Sequence, residues 1–152
     1  MIWITLLSLL ILSNIVGFLV MTAPAMAAVP PMRADDRAAD AQHIVVGCIR
    51  EITTEEVTVD WGTDHHYTAI VDVNTVEKGT LPLSPTAESP PAATIPQIVV
   101  HYWQYGDRPL DWSGNAGQGT RLVTGTTVRL FLWQDAQGQL NLLTPNGWGY
   151  VD

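Results

Sequence analysis

From His43 onward the chain is written in short runs rich in β-branched residues, cut apart by Gly, Pro and Asp, with no sustained helical period. That pattern excludes a helical bundle and a doubly wound α/β fold, both of which need repeated amphipathic helices. Glu56-Val-Thr-Val-Asp-Trp61 alternates apolar and polar residues. So does His65 to Val76, with Tyr67, Ala69, Val71 and Val73 on one face and Thr68, Asp72 and Asn74 on the other. Strict alternation marks strands with one face buried. Further strands are expected at His43–Ile52, Gln97–Trp103, Thr126–Trp133 and Gln139–Thr144. Gly62-Thr63-Asp64 and Asp135–Gly138 are expected to be turns, and Pro145-Asn146-Gly147 leads into a tail, Trp148–Asp152. Gly47, inside the first run, predicts a bulge or a close backbone crossing. Leu81 to Pro96 holds five prolines and reads as a mobile loop, and Gln104 to Thr120 reads as a second long loop. Ahead of the strands, Arg33 to Gln42 predicts one or two helical turns, with Asp35 able to cap the start. The expectation is an all-β domain of about six strands over residues 43–152, a small barrel or a sandwich, with a spacer and short helix over residues 28–42.

Charge is distributed unevenly. Every Asp, Glu, Lys and Arg lies at or beyond Arg33. Ile2 to Met21 is a nearly unbroken apolar run, followed by Ala25-Met26-Ala27, the small-x-small pattern of a signal-peptidase site. Residues 1–27 are therefore expected to be a signal peptide. The absence of a basic residue ahead of the run, and a length sufficient to cross a bilayer, leave an uncleaved N-terminal anchor as the alternative. Either way the domain is expected outside the cytoplasm, periplasmic or extracellular, touching membrane only through such an anchor.

The net charge of −8 argues against nucleic acid and anionic lipid as partners. A single cysteine, Cys48, excludes an internal disulfide framework and a cysteine metal cluster. Its apolar neighbours Val45, Val46 and Ile49 favour a buried, inert thiol over a nucleophile.

Three stretches together resemble a known family. Ala39-Asp-Ala-Gln-His-Ile-Val-Val-Gly47 is similar to the opening of many exported bacterial domains, and Val71 to Gly79 ends its strand on Lys-Gly. Thr124-Gly-Thr126 leads into Val128-Arg-Leu-Phe-Leu132. These look like the OB-like barrel of netrin-like modules and tissue inhibitors of metalloproteinases. The resemblance implies a Greek-key barrel of five to six strands. It carries no inhibitor function: that chemistry uses an N-terminal cysteine, whereas residue 28 is Ala, and the family's paired cysteines are missing.

Among candidate sites, the aromatic residues around the second loop are the strongest. Trp103, Tyr105, Arg108, Trp112 and Asn115 form a set of the kind that contacts a protein or a glycan, and Trp148 and Tyr150 could join from the tail. The alternative is that these rings fill the core or cap a barrel end. A second site could bind zinc or copper through His65 or His66 with His101 or His43. Adjacent residues on a strand point to opposite faces, so His65 and His66 are not expected to share one ion. Glu55, Glu56, Asp60, Asp107 and Asp111 could supply a catalytic pair, but an acidic chain offers such candidates by chance, and they read first as a solvated face. Gly114 to Gly119 lacks the Lys-Ser/Thr and helix of a phosphate loop. The leading expectation is an exported, non-enzymatic binding module without a cofactor. The second is an extracytoplasmic metal-binding protein.

Overall fold

A computed structural model describes residues 30–81, 95–110 and 112–151. The described residues form one short helix, α1 (Ala34–Asp40), and six strands. The strands are β1 (His43–Val59), β2 (Gly62–Lys78), β3 (Gln97–Tyr105), β4 (Thr127–Gln134), β5 (Leu140–Leu142) and β6 (Trp148–Tyr150). The signal peptide or anchor expected over residues 1–27, and most of the expected loop from Leu81 to Pro96, lie outside the described residues. No helix among the described residues is long and apolar enough to cross a membrane.

The strands close a ring in the order β1-β2-β3-β5-β4, and β4 returns to β1 through His43↔Leu132 to Cys48↔Thr127. Every pairing is antiparallel except β3–β5, where Val100 and His101 lie beside Leu140 and Asn141. The fold is a small OB-like Greek-key barrel, and the β1–β4 pairing decides between barrel and sandwich. The other edge of β4 is shared: Leu132–Gln134 pairs with β5 and Val128–Leu130 with β6.

A long bent strand makes the closure possible. The first half of β1 pairs with both β4 and β2, and its second half pairs with β2 alone. Register shifts fall between Val46 and Gly47 and between Ile49 and Glu51, and such irregularities bend a strand and increase its twist. Gly47 is the close approach expected there: a Cβ would stand 2.6 Å from the Asp72 carbonyl oxygen.

The alternation expected for His65–Val76 is observed. Tyr67, Ala69, Val71 and Val73 point inward with Val45, Ile49, Val100, Val128, Leu130 and Leu132. Each Val, Ile or Leu among them contributes about 1.5–3 kcal/mol when fully buried. A second, smaller cluster lies outside the ring, where Ala38 and Ala41 cover Ile44, Phe131 and Leu143. Arg37 ties α1 down by donating to the carbonyls of Asn146 (3.0 Å) and Trp148 (3.1 Å), above the Phe131 ring. Lys78 donates to the helix carbonyls of Ala38 and Ala39, a favourable place for a cation.

Four local expectations change. The strands expected at His43–Ile52 and Glu56–Trp61 are one strand. The polar stretch Thr53-Thr-Glu-Glu56 is exposed strand where β1 has left the closed ring, not a break. The turn falls at Asp60–Trp61, and Gly62 opens β2. The tail contains a strand, β6. Asp35 sits in the first turn of α1, while Arg33 holds the N-cap position with no side-chain cap bond.

Candidate functional site

The loop leaving β3 is anchored before it exposes anything. Gly106 N–H donates to the Thr63 carbonyl (2.7 Å), and Thr63 N–H donates to the Asp107 carbonyl (3.2 Å). The Arg108 guanidinium donates to the Thr63 carbonyl and to the Asp64 carboxylate. The Arg108 and Asp64 side chains are only 7% and 15% exposed, so this ion pair is largely removed from water. Gly62, with φ +129°, lets the hairpin approach: a Cβ there would stand 2.0 Å from the Asp107 carbonyl oxygen.

On this base the chain turns out and back. Asn115 Oδ1 accepts from Gly117 N–H (3.0 Å), a local side-chain turn. Tyr105 N–H donates to the Ala116 carbonyl, and Gln118 N–H to that of Trp103 (2.8 Å), extending the β3 edge beyond β5. Gln118 is almost fully buried and fully engaged: Nε2 donates to the Leu143 carbonyl, and Oε1 accepts from Gly147 N–H. It fastens the returning loop to the β5–β6 turn. Nothing in the Gly-rich stretch around it marked it in the sequence.

Trp112 is held between neighbours. Tyr105 lies 5.9 Å away at 37°, the Arg108 guanidinium lies 5.0 Å from its ring, and Gly114 passes so close that a Cβ would strike the indole. The result is a groove of about 410 Å³ whose lining includes Tyr105, Arg108, Pro109, Leu110, Trp112 and Ser113. Leu110 is 96% exposed and Tyr105 50% exposed. A second depression of about 320 Å³ joins Trp112 and Pro109 to Trp61 of the hairpin tip, itself 65% exposed. Exposed apolar and aromatic side chains gathered on one anchored loop and rimmed by polar groups make this the candidate interaction face.

Of the expected binding residues, the structure brings Tyr105, Arg108 and Trp112 to one groove. Arg108 serves there as the internal tie to Asp64. Asn115 is exposed on the same loop and spends its amide oxygen on Gly117. Trp103 stands on the outer face of β3 opposite His66 and lines a different depression of about 370 Å³, with Glu55, His66, His101 and Asn141. Trp148 and Tyr150 form their own edge-to-face pair on β6, outside the groove lining. Sequence reasoning missed Trp61, Pro109 and Leu110. A Trp between Asp60 and Gly62 at a hairpin tip was the available signal for the first.

The histidines separate as the pleat requires. His65 faces Glu56 across the hairpin, with Nδ1 4.0 Å from the carboxylate, while His66 points to the opposite face beside Glu55 and Trp103. His101 shares the outer groove with His66, its Nδ1 3.3 Å from the Thr68 hydroxyl oxygen. His43 is buried at the far end of β1 against Gly79. Among the described residues, no group of three or more His, Cys, Asp or Glu side chains is placed to hold a metal ion. Glu55, Glu56, Asp60 and Asp107 are exposed, Asp111 lies outside the described residues, and Cys48 is a half-buried free thiol.

Inside the barrel, Tyr67 and Tyr102 stack at 4.7 Å with both hydroxyls buried, and among the described residues the Tyr67 hydroxyl completes no hydrogen bond. Burial pushes the Tyr102 phenol up to about 12, against the opposing pull of the Leu122 backbone and the Arg121 cation. Comparison of the chain with protein-family models and with curated proteins gives no match, so what this site does is argued from its own geometry.

Proposed function

We propose that the chain is an exported binding module that uses the Tyr105–Trp112 loop and the Trp61 hairpin tip to contact a protein or glycan partner, rather than an enzyme. The carrying observation is the exposed aromatic groove on an anchored base: Leu110 and Tyr105 face solvent while Arg108 and Asp64 fix the loop beneath them. Anchoring before contact lowers the ordering cost of association. Export enters through the apolar run Ile2–Met21 and the Ala25-Met26-Ala27 pattern. Kinship with netrin-like modules belongs to the same proposal, as a matter of fold alone.

The test places a photo-crosslinking residue at position 110 of the full chain and compares adducts in the envelope and secreted fractions. A discrete adduct at position 110, lost with Tyr105→Ala and absent when the crosslinker sits at Val99, is the expected result. Equal adducts from both positions sink the proposal.

A second reading, zinc or copper binding, is favoured by one observation: His66 and His101 share a groove with Glu55. Two imidazoles are half of a four-ligand zinc site, so an ion there needs further ligands. Metal content of the chain prepared without chelators decides it. Stoichiometric metal that is lost with His101→Ala establishes this reading, and metal-free protein that takes up no added zinc or copper removes it.

A further inference from the structure

We propose that the occupant of the groove is a basic, apolar-anchored peptide segment of a partner protein, lying extended across the tip with a lysine or arginine beside Asp60 and Asp107. This rests on the reading of the groove as the binding face and names what that face selects. The first support is shape. The depressions of about 410 and 320 Å³ continue into a third of about 310 Å³ lined by Asp60, Trp61, Asp107 and Pro109, and Pro109 borders all three. Three open depressions joined at Pro109 suit a chain that reaches from one to the next better than a compact small molecule, which binds in an enclosed cavity.

The second support is charge. Asp60 and Asp107 are exposed, and neither makes an ion pair or a side-chain hydrogen bond among the described residues. The cation lining the trough, Arg108, is committed to Asp64 and is almost inaccessible. The trough therefore presents an apolar aromatic floor and an uncompensated negative end. A side chain that combines an aliphatic stem with a positive head complements both. Trp61 stands beside Asp60 with its ring largely exposed, a favourable surface for such a head, and Arg108 over Trp112 is the same contact made within the chain. The net charge of −8 draws cationic segments from a distance and repels a second copy of the chain. Arg37, Lys78, Arg108 and Arg129 are also already bonded within their own fold.

The experiment selects from a random-peptide library displayed on phage against the immobilised full chain. Enriched peptides are then synthesised and their affinities measured against ionic strength. The expected peptides carry Lys or Arg within a few positions of Leu, Trp or Phe. The Asp60→Asn/Asp107→Asn double variant, altered only at exposed positions, should bind them about three- to tenfold more weakly with a flatter salt dependence. Leu110→Ser, which removes an exposed side chain, should weaken them as well. If Leu110→Ser and Trp112→Ala abolish binding while the asparagine variant binds as well as the parent, the groove stands as a site and this inference falls. Binding untouched by Leu110→Ser or Trp112→Ala removes the groove reading itself. Enrichment of acidic or uncharged peptides, or a concentration-dependent dimer that Leu110→Ser dissociates, also overturns the inference, the latter by placing a second copy in the trough.

Discussion

Arg108 shows how one side chain sets the geometry of the candidate site. Its planar fork reaches the Thr63 carbonyl and the Asp64 carboxylate at once while its face rests on Trp112. A lysine offers a point charge and no stacking plane, so Arg108→Lys is not conservative here. Arg108→Ala leaves the Asp64 carboxylate uncompensated at 15% exposure, and breaking such a pair costs about 3–5 kcal/mol. Denaturant unfolding should show a loss near the lower figure, because Asp64 keeps some access to water, together with altered tryptophan emission as Trp112 is released. Asp64→Asn should cost less, since an amide oxygen still accepts from the guanidinium. Tyr102 gives a pH signature at the same scale. Its folded-state value is raised to about 12 from the ordinary 10.0, so the folded state holds this proton more tightly. Its contribution is therefore whole below pH 10 and is lost as pH rises toward 12, at about 1.4 kcal/mol per unit. In urea unfolding the parent should lose stability across that window, whereas Tyr102→Phe should be flatter there if the phenol is the cause.

At the scale of elements, α1 has seven residues and could not persist alone, since isolated helices shorter than about 12 residues are marginal in water. It is held by Arg37, by Lys78 and by the small cluster around Phe131. Ala38→Asp puts a charge on that packed face. It should raise amide exchange across residues 34–40 while exchange in β1 to β4 stays protected; uniform loss of protection would show instead that α1 is needed for the barrel. The elements also show what the sequence could and could not reveal. β2 was readable because one of its faces lies in the core from Tyr67 to Val73, which stamps a period of two on those residues. The continuity of β1 between its two alternating runs was not, because Thr53-Thr-Glu-Glu56 is exposed and carries the composition of a loop. β6 was hidden for a related reason: three residues ending in Gly-Tyr have no period to read, and they are strand only because β5 leaves Val128–Leu130 unpaired. The groove was half visible. Tyr105 and Trp112 stand out in the sequence as aromatics in a polar loop, whereas Trp61 joins them only because a two-residue turn brings the hairpin tip beside that loop.

For the whole molecule, ring closure keeps its two ends mechanically distinct. Leu130 is fully buried where β4 pairs with Val45 of β1, and Val45 lies opposite Val76 of β2. From Val76 to Asp64, β2 runs twelve residues, roughly 40 Å of strand at about 3.3 Å each. Leu130 and the Arg108–Asp64 pair therefore lie far apart along the strand that links them. Leu130→Ala should cost about 2–5 kcal/mol through the cavity it leaves in the closed ring. If the barrel unfolds as one cooperative unit, that loss and the loss from Arg108→Ala should add in the double variant to within about 0.5 kcal/mol, with a single transition. A biphasic melt, in which Arg108→Ala shifts only the first phase, would instead make the hairpin tip and loop a separately melting unit. The anchored base beneath the groove would then be a local device and not a property of the barrel. Following both transitions by amide exchange over residues 60–64 and 105–110 and by far-ultraviolet circular dichroism separates these outcomes, since the first reports the groove end while most of the strand signal reports the ring.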